Sequence, residues 1–323
     1  MARRPPRGVR VAVAMKVVVL AGGVSGEREI SLLSGGQVLA ALKGLGHDAE
    51  LVDFGPDCAV ELRRIAPDLV FPTLHGPLGE DGTAAAVLEL LGLPYVGSGV
   101  LAGALAMNKA AAKRVLIAEG LPTPEFELVE TVTDPRVQAG ELVVHLGLPL
   151  AIKPNSGGSS LGFSVAYDED AVLDGVAAAL AAAGPDGGAL VESFKPGMEV
   201  TVGVLGVANP EALPTLEILA RDGKYDYEAK YTAGMSQHVI PARIPEAQAA
   251  EAQRLALRAH QLIGARGLSR VDVICPPSGG VWILEVNTIP GMTELSLFPD
   301  AARAAGLDFP ALVARLVEEA LPR

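Results

Sequence analysis

A chain of 323 residues is longer than one compact core usually organises and points to two or three domains. Half of the residues are apolar but only 4% are aromatic, so Ala, Val and Leu must fill the core, as suits helices laid on sheets. The net charge of −12 gives a surface that repels a phosphate backbone and excludes a nucleic-acid binder, while two cysteines, Cys58 and Cys275, without CxxC or metal-ligand spacing exclude a disulfide framework and fit a reducing cytoplasm.

The opening segment, MARRPPRGVRVAVAM, places arginines before a short apolar stretch, as a signal peptide does. That stretch runs directly into Lys16 and VVVLAGG with no polar cleavage region, so cleavage is not expected; Met15 is the expected natural start and residues 1–14 a disordered extension. No stretch approaches the roughly 20 apolar residues that cross a bilayer.

Residues 16–20 are β-branched and end in Ala-Gly-Gly, which reads as a strand and turn, and residues 30–45 carry apolar side chains at helical spacing. Strands are expected at 50–54 and 68–72 and a helix at 83–91. Strands alternating with helices predict a parallel, doubly wound first domain over residues 1–104. A helix over 108–119 carries Lys109 and Lys113 and is stopped by Gly120-Leu-Pro-Thr-Pro. A strand at 150–153, a loop at 154–162, an Ala-rich helix at 168–183 and a strand at 189–192 belong to a second unit, residues 105–192. Strands at 201–207, 212–219, 269–274 and 281–286, with a helix at 246–263, make the third, residues 193–323.

In VDVICPPSGGVWILEVN two predicted strands joined by a Pro-Gly turn carry Asp272, Glu285 and Asn287, and alternation places Glu285 and Asn287 on one face. Three hard oxygen donors on adjacent antiparallel strands suit Mg²⁺, which takes few protein oxygens and completes its shell with water and phosphate. The alternative, a solvated edge, is disfavoured because an apolar strand such as VWILEVN rarely spends a carboxylate without a partner. Lys153 precedes Pro-Asn-Ser-Gly-Gly-Ser-Ser-Leu-Gly, a loop whose backbone N–H groups can close over triphosphate oxygens. It is not a Walker A loop, because the lysine comes before the glycines and no GK[ST] follows.

Glu192-Ser-Phe-Lys195 ends a strand and can offer backbone groups to adenine, with Glu199 suited to ribose hydroxyls; taken alone it reads equally well as surface. KYDYEAKYTAGMSQHVIP, with Lys224, Lys230 and Tyr231, lacks apolar periodicity and resembles a loop that folds over a substrate. Residues 22–29, GGVSGERE, follow the first strand but lack GxGxxG, which argues against a dinucleotide-binding dehydrogenase; Glu27 and Glu29 also suit a first helical turn. His75-Gly-Pro-Leu-Gly-Glu-Asp-Gly likewise follows a strand. His75 alone would be a satisfied loop histidine, but two Gly-rich loops with acids at strand ends suggest a ligand crevice.

Taken together, GGVSGEREISLLSG, HGPLGEDG, MNKAAAKRVL, KPNSGGSSLG, YDYEAKY, GLSRVDV and LEVNTIPGMTELS, spread from residue 16 to about 320 in order, closely resemble the D-alanine:D-alanine ligase family of ATP-grasp enzymes. The resemblance implies an N-terminal Rossmann-like α/β domain with a parallel sheet, followed by the two-domain, α+β ATP-grasp fold with ATP between its halves. It implies a cytoplasmic homodimer of peptidoglycan synthesis that phosphorylates the carboxylate of one D-alanine and lets the amine of a second attack the acyl phosphate. Two Mg²⁺ or Mn²⁺ ions per active site would be held by Asp272, Glu285 and Asn287.

By the same resemblance, Lys109, Lys153 and Ser160 would hold the nucleotide phosphates, Glu192 and Glu199 adenine and ribose, and Lys230 would lie near the transferred phosphate. Arg270 and the backbone N–H of Gly291 would stabilise the oxyanion. Glu27 would bind the first substrate's ammonium group, tied to Ser159 and Tyr231, with His75 beside that substrate and Ser296 and Leu297 holding the second. Lys195 has no matching adenine position, and the segment Thr293-Glu-Leu-Ser-Leu falls where the family varies. The alternatives are a D-alanine:D-lactate or D-serine ligase, against which Tyr231 in YEAKY argues, and another ATP-grasp carboxylate–amine ligase, which leaves GEREIS and HGPLGEDG unexplained. A non-catalytic module would show damage in the metal set or Arg270, and there is none.

Overall fold

The computed structural model describes residues 14–132, 134–158, 162–184, 187–220, 236–293 and 296–321. The chain opens with β1 (Lys16–Ala21), α1 (Arg28–Gly44), β2 (Asp48–Asp53), α2 (Cys58–Ile65), β3 (Leu69–Pro72) and α3 (Thr83–Leu91). The three strands form a parallel sheet in the order β2-β1-β3, as the alternation of strands and helices predicts. β1 is buried on both faces. Val17 and Val19 point to Val38 and Leu42 of α1, whereas Val18 and Leu20 point to Leu62 of α2 and Leu88 of α3. The turn after β1 needs glycine: Gly22 has φ +81°, and a Cβ there would lie 2.2 Å from Asp53 Oδ1. Arg28 closes the same turn with a bidentate pair to Asp53 and a bond to the Gly23 carbonyl.

Two helices follow, α4 (Val100–Met107) and α5 (Lys109–Ala118), separated by Asn108, whose side chain accepts the Ala111 N–H at the start of α5. Next come β4 (Phe126–Val129), α6 (Pro135–Leu146), β5 (Leu150–Pro154), β6 (Ser164–Ala166), α7 (Glu169–Ala183) and β7 (Ala189–Ser193). Their strands make an antiparallel sheet ordered β4-β7-β5-β6, covered by Leu142 of α6 and Val172, Val176 and Ala179 of α7.

A third sheet is built from β8 (Met198–Gly206), β9 (Glu211–Ala212), β10 (Leu216–Ala220), β11 (Ser236–Val239), β12 (Gly267–Cys275) and β13 (Trp282–Asn287), ordered β11-β10-β8-β12-β13 with β9 beside β8. Helix α8 (Glu246–Ile263) lays Leu255, Ala256, Ala259 and Ile263 on one face of it. Helices α9 (Leu297–Ala304) and α10 (Phe309–Ala320) close the described chain. α10 does not stay with the third sheet alone: Leu312, Val313, Leu316 and Val317 share a core with Val17 and Val19 of β1 and with α1.

The expected mix of a parallel α/β sheet and two antiparallel α+β sheets is what the chain adopts. The segment expected as one strand at 212–219 is split between β9 and β10, and α2, α4, β4, α6, β6, β11, α9 and α10 had no counterpart in the sequence reading. Both cysteines are buried and free. No helix among the described residues is long and apolar enough to cross a membrane.

Candidate active site

The third sheet has a polar face. Asp272, at the middle of β12, stands in register with Thr201 of β8 on one side and Glu285 of β13 on the other, and Arg270 stands opposite Asn287. Residues opposite one another or two apart share a face, so Glu199, Thr201, Arg270, Asp272, Glu285 and Asn287 line one side. Val200, Val202, Val271, Val273 and Ile283 line the other and pack on α8. The register of β12 and β13 shifts between Asp272 and Val273, immediately beyond the paired acids.

The Asp272 carboxylate accepts from Arg270 Nε and Nη2, both at 2.9 Å, and from the Thr201 hydroxyl at 2.6 Å. Asn287 Oδ1 accepts the Ile289 N–H at 2.9 Å, which orients the amide. Among the described residues no three His, Cys, Asp or Glu side chains are grouped so as to hold a metal ion; the third oxygen donor here is the Asn287 amide. Two carboxylates and an amide oxygen on neighbouring strands are a hard donor set of the kind that suits Mg²⁺.

Lysines reach this face from the other elements. Lys109 opens α5, donates to the Gly157 carbonyl at 2.7 Å and stands 3.7 Å from Glu285, and burial pulls its pKa down against the attraction of Glu285. The start of α5 is clamped to the end of β5: the Lys109 N–H donates to the Asn155 carbonyl and the Ala110 N–H to the Asn155 side chain. Lys153, on β5, lies 2.8 Å from Glu192 of β7; burial alone would lower its pKa, but Glu192 and then Glu285 outweigh burial and raise it. Glu192 is sealed at 2% exposure and carries a second ion pair, to Lys113 at 2.5 Å. Its side chain is therefore committed to two ammonium groups, a partnership the sequence reading did not contain. Lys113 was readable only as the i+4 neighbour of Lys109 on one helix face.

At the other wall, the loops after β1 and β3 meet. The Ser25 hydroxyl donates to the His75 carbonyl at 2.7 Å and accepts the Glu27 N–H at 3.2 Å. A Cβ at Gly158 would lie 3.2 Å from Glu27 Oε2, and one at Gly76 3.3 Å from the same oxygen, so Glu27 sits between the β3 loop and the β5 loop. His75 is buried, its Nε2 has no hydrogen-bond partner among the described residues, and burial lowers its pKa to about 4 against the pull of Glu27. Glu80, in the same HGPLGEDG loop, accepts the Gly76 N–H at 2.7 Å, and burial followed by the charge of Glu27 pushes its pKa up to about 8. Glu80 was not anticipated as a functional residue, although its motif was.

Gly291, Thr293 and Ser296 come close together. A Cβ on Gly291 would lie 2.7 Å from Ser296 Oγ, and that oxygen already accepts the Thr293 N–H at 3.0 Å and meets the Thr293 hydroxyl at 2.8 Å. Leu297 begins α9 and is buried. The Met292 N–H donates to Ser34 of α1 at 3.3 Å, so Met292 is fastened to the first sheet's helix. Ser159, Ser160, Lys230 and Tyr231 lie outside the described residues.

Residues 115–318 match the family model described as the D-ala D-ala ligase C-terminus, and residues 55–98 match the D-ala D-ala ligase N-terminus. The D-alanine–D-alanine ligase of Pelotomaculum thermopropionicum is 49% identical over 96% of this chain and 98% of the relative, and that of Moorella thermoacetica is 46% identical over 95% and 99%. This chain belongs to the D-alanine–D-alanine ligase family. As a family member it is an ATP-dependent ligase with the ATP-grasp fold. The crystal structure of the D-alanine–D-alanine ligase from Bacillus anthracis complexed with ATP superposes with a TM-score of 0.80 at 27% identity, over 95% of this chain and 97% of that one. VanG, the D-Ala:D-Ser ligase from Enterococcus faecalis, superposes equally, with a TM-score of 0.80 at 29% identity over 95% and 100%. The ligase backbone is thus common to members named for different second substrates.

Proposed function

We propose that the chain joins two D-alanines, with the pairing of Lys109 to Glu285 and of Arg270 to Asp272 on the acid-bearing face of the third sheet, and Lys153 within the influence of Glu285, as the carrying observation. A carboxylate is a poor electrophile, and phosphorylating it brings several negative charges together, so the cations and the metal donors have a common purpose. Lys109 and Lys153 hold the nucleotide phosphates, together with Ser160 and Lys230. Asp272, Glu285 and Asn287 would hold two Mg²⁺ or Mn²⁺ ions, which would supply positive charge to offset that of the phosphates. Glu199 binds ribose. Adenine falls to the segment around Glu192, through backbone groups, since its carboxylate is occupied by lysines.

An oxygen of the first D-alanine carboxylate attacks the γ-phosphorus and ADP leaves. The amine of the second D-alanine then attacks the acyl carbon, and the tetrahedral intermediate expels phosphate. Arg270, fixed along one edge by Asp272, and the Gly291 N–H stabilise the oxyanion. Glu27, set beside Gly158 and Gly76, binds the first ammonium group and is tied to Ser159 and Tyr231, with neutral His75 beside it. Ser296 and Leu297 shape the second subsite; the bonds of Ser296 Oγ to Thr293 make it an anchor for Thr293 as much as a contact.

We infer further that the chain divides at 1–104, 105–192 and 193–323 and works as a cytoplasmic homodimer. Phosphate release measured with D-alanine, L-alanine and D-lactate, with and without Mg²⁺, tests the proposed activity. Release that needs both D-alanine and Mg²⁺ supports the reading; faster release with D-lactate as second substrate, or ATP binding without D-alanine-dependent ADP formation, refutes it. Light scattering reads the mass of the assembly.

A further inference from the structure

Lys113 is 1% exposed, so it cannot touch a nucleotide, yet it carries a charge into the interior beside the phosphate lysines. Its ammonium pairs with Glu192 Oε1 at 2.5 Å, hydrogen-bonds the Thr123 hydroxyl and lies 5.6 Å above the Phe126 ring. Lys153 takes the other oxygen, Glu192 Oε2, at 2.8 Å, and its side chain is 15% exposed. One carboxylate thus serves two ammonium groups, one sealed and one reaching the surface. With a single lysine, Glu192 would cancel that lysine's charge; with two, the group keeps one net positive charge, and Lys153 is the member placed to present it.

We propose that Lys113 is a positioning residue for ATP: it neutralises Glu192 from inside the protein so that Lys153 keeps its charge for the nucleotide phosphates. The relay also reaches the acid-bearing strand. The Thr123 hydroxyl donates to the Ile283 carbonyl at 2.8 Å, and the Ile283 N–H donates to the Pro122 carbonyl at 2.9 Å, so the segment that holds Lys113 is pinned to β13 two residues before Glu285. Burial lowers the Lys113 pKa to about 8, and the attraction of Glu192 offsets part of that penalty.

The inference rests on reading Lys153 as a phosphate lysine, and one set of variants separates the two. Steady-state kinetics with ATP, D-alanine and Mg²⁺ are measured for Lys113→Met, Lys113→Arg, Glu192→Gln, the Lys113→Met/Glu192→Gln double variant and Lys153→Ala. Lys113→Met raises KM for ATP by about tenfold or more while kcat changes by less than about threefold, because the missing contribution is to binding rather than to chemistry. Lys113→Arg, which keeps the charge, stays within about threefold of the parent in KM. The double variant binds ATP more tightly than Lys113→Met alone, since it removes the carboxylate paired directly with Lys153.

An unchanged KM in Lys113→Met, or a double variant no better than Lys113→Met, overturns the inference if Lys153→Ala does raise KM. If Lys153→Ala leaves KM for ATP unchanged, the reading of Lys153 itself fails. Should Lys113→Met not fold, Lys113→Arg decides: a folded arginine variant with KM raised about tenfold overturns the proposal, and one near the parent supports it.

Discussion

Glu285→Gln separates the site from the scaffold that carries it. In the fold, Glu285 makes an ion pair to Lys109 at 3.7 Å with its side chain 34% exposed, so the pair adds no more than about 1 kcal/mol to stability. Its register partner is another acid, Asp272, and loss of one of two facing charges offsets part of even that amount. A chain of this size then loses no more than about 2–4 °C in Tm. Catalysis responds on another scale. If Glu285 holds the metal that neutralises the phosphates, the amide removes transition-state stabilisation, and kcat falls by a factor of about 10³ or more, equivalent to about 4 kcal/mol. The assay is ADP formation at saturating ATP and D-alanine across a Mg²⁺ titration, with thermal unfolding of the same preparation. Turnover within about tenfold of the parent at every Mg²⁺ concentration would refute the metal assignment, and a Tm loss above about 10 °C would show that Glu285 holds the fold instead.

Glu80→Gln reports the pH dependence built into the His75 loop. Glu80 has a folded pKa of about 8 against an ordinary 4.5, so the fold keeps a proton on it over that window. Stability from this group is complete below the lower value and is lost as pH rises through the upper one, whereas glutamine has no proton to lose. Urea unfolding should show the variant more stable than the parent at pH 8.5 with the gap closing toward pH 5; a gap that widens toward pH 5 reverses the assignment. Gly35→Ala tests the packing of α1 on the first sheet. The added Cβ would meet Ala21 Cβ at 2.7 Å, Thr73 Oγ1 at 3.1 Å and Leu51 Cδ1 at 3.3 Å, so overpacking of about 1–3 kcal/mol outweighs the roughly 1 kcal/mol gained from helix propensity. Urea unfolding should find a net loss, and a stabilised variant would show that α1 can lift away from β1.

The polar face of the third sheet was legible as far as it obeys a local rule. Glu285 and Asn287 stand two apart in VWILEVN, so their shared face follows from the pleat, whereas the placing of Glu285 across from Asp272 depends on the register shift between Asp272 and Val273, which no local pattern announces. Glu192 was not legible in the same way. Its neighbours in sequence describe a strand end, while its partners, Lys113 and Lys153, lie on α5 and β5 and become neighbours only when a helix is laid beside a sheet. Helix α4, VLAGALAM, is apolar throughout and shows no stripe from which a helix could be read. The start of α10 carries signals, an Asp308 cap and Pro310 in the first turn, but its destination does not, because nothing within those residues says that Leu312 and Leu316 meet Val17 and Val19.

That destination bears on how the protein is made. β1 is among the first segments of this sequence to be synthesised, and one of its two faces is covered by a helix from near the other end. The first sheet can form its strands early, but Val17 and Val19 keep an unfinished wall until α10 arrives. The first unit is thus unsuited to life as an excised fragment. Removing residues 309–320 should harm it more than the third sheet to which they lie closer in sequence.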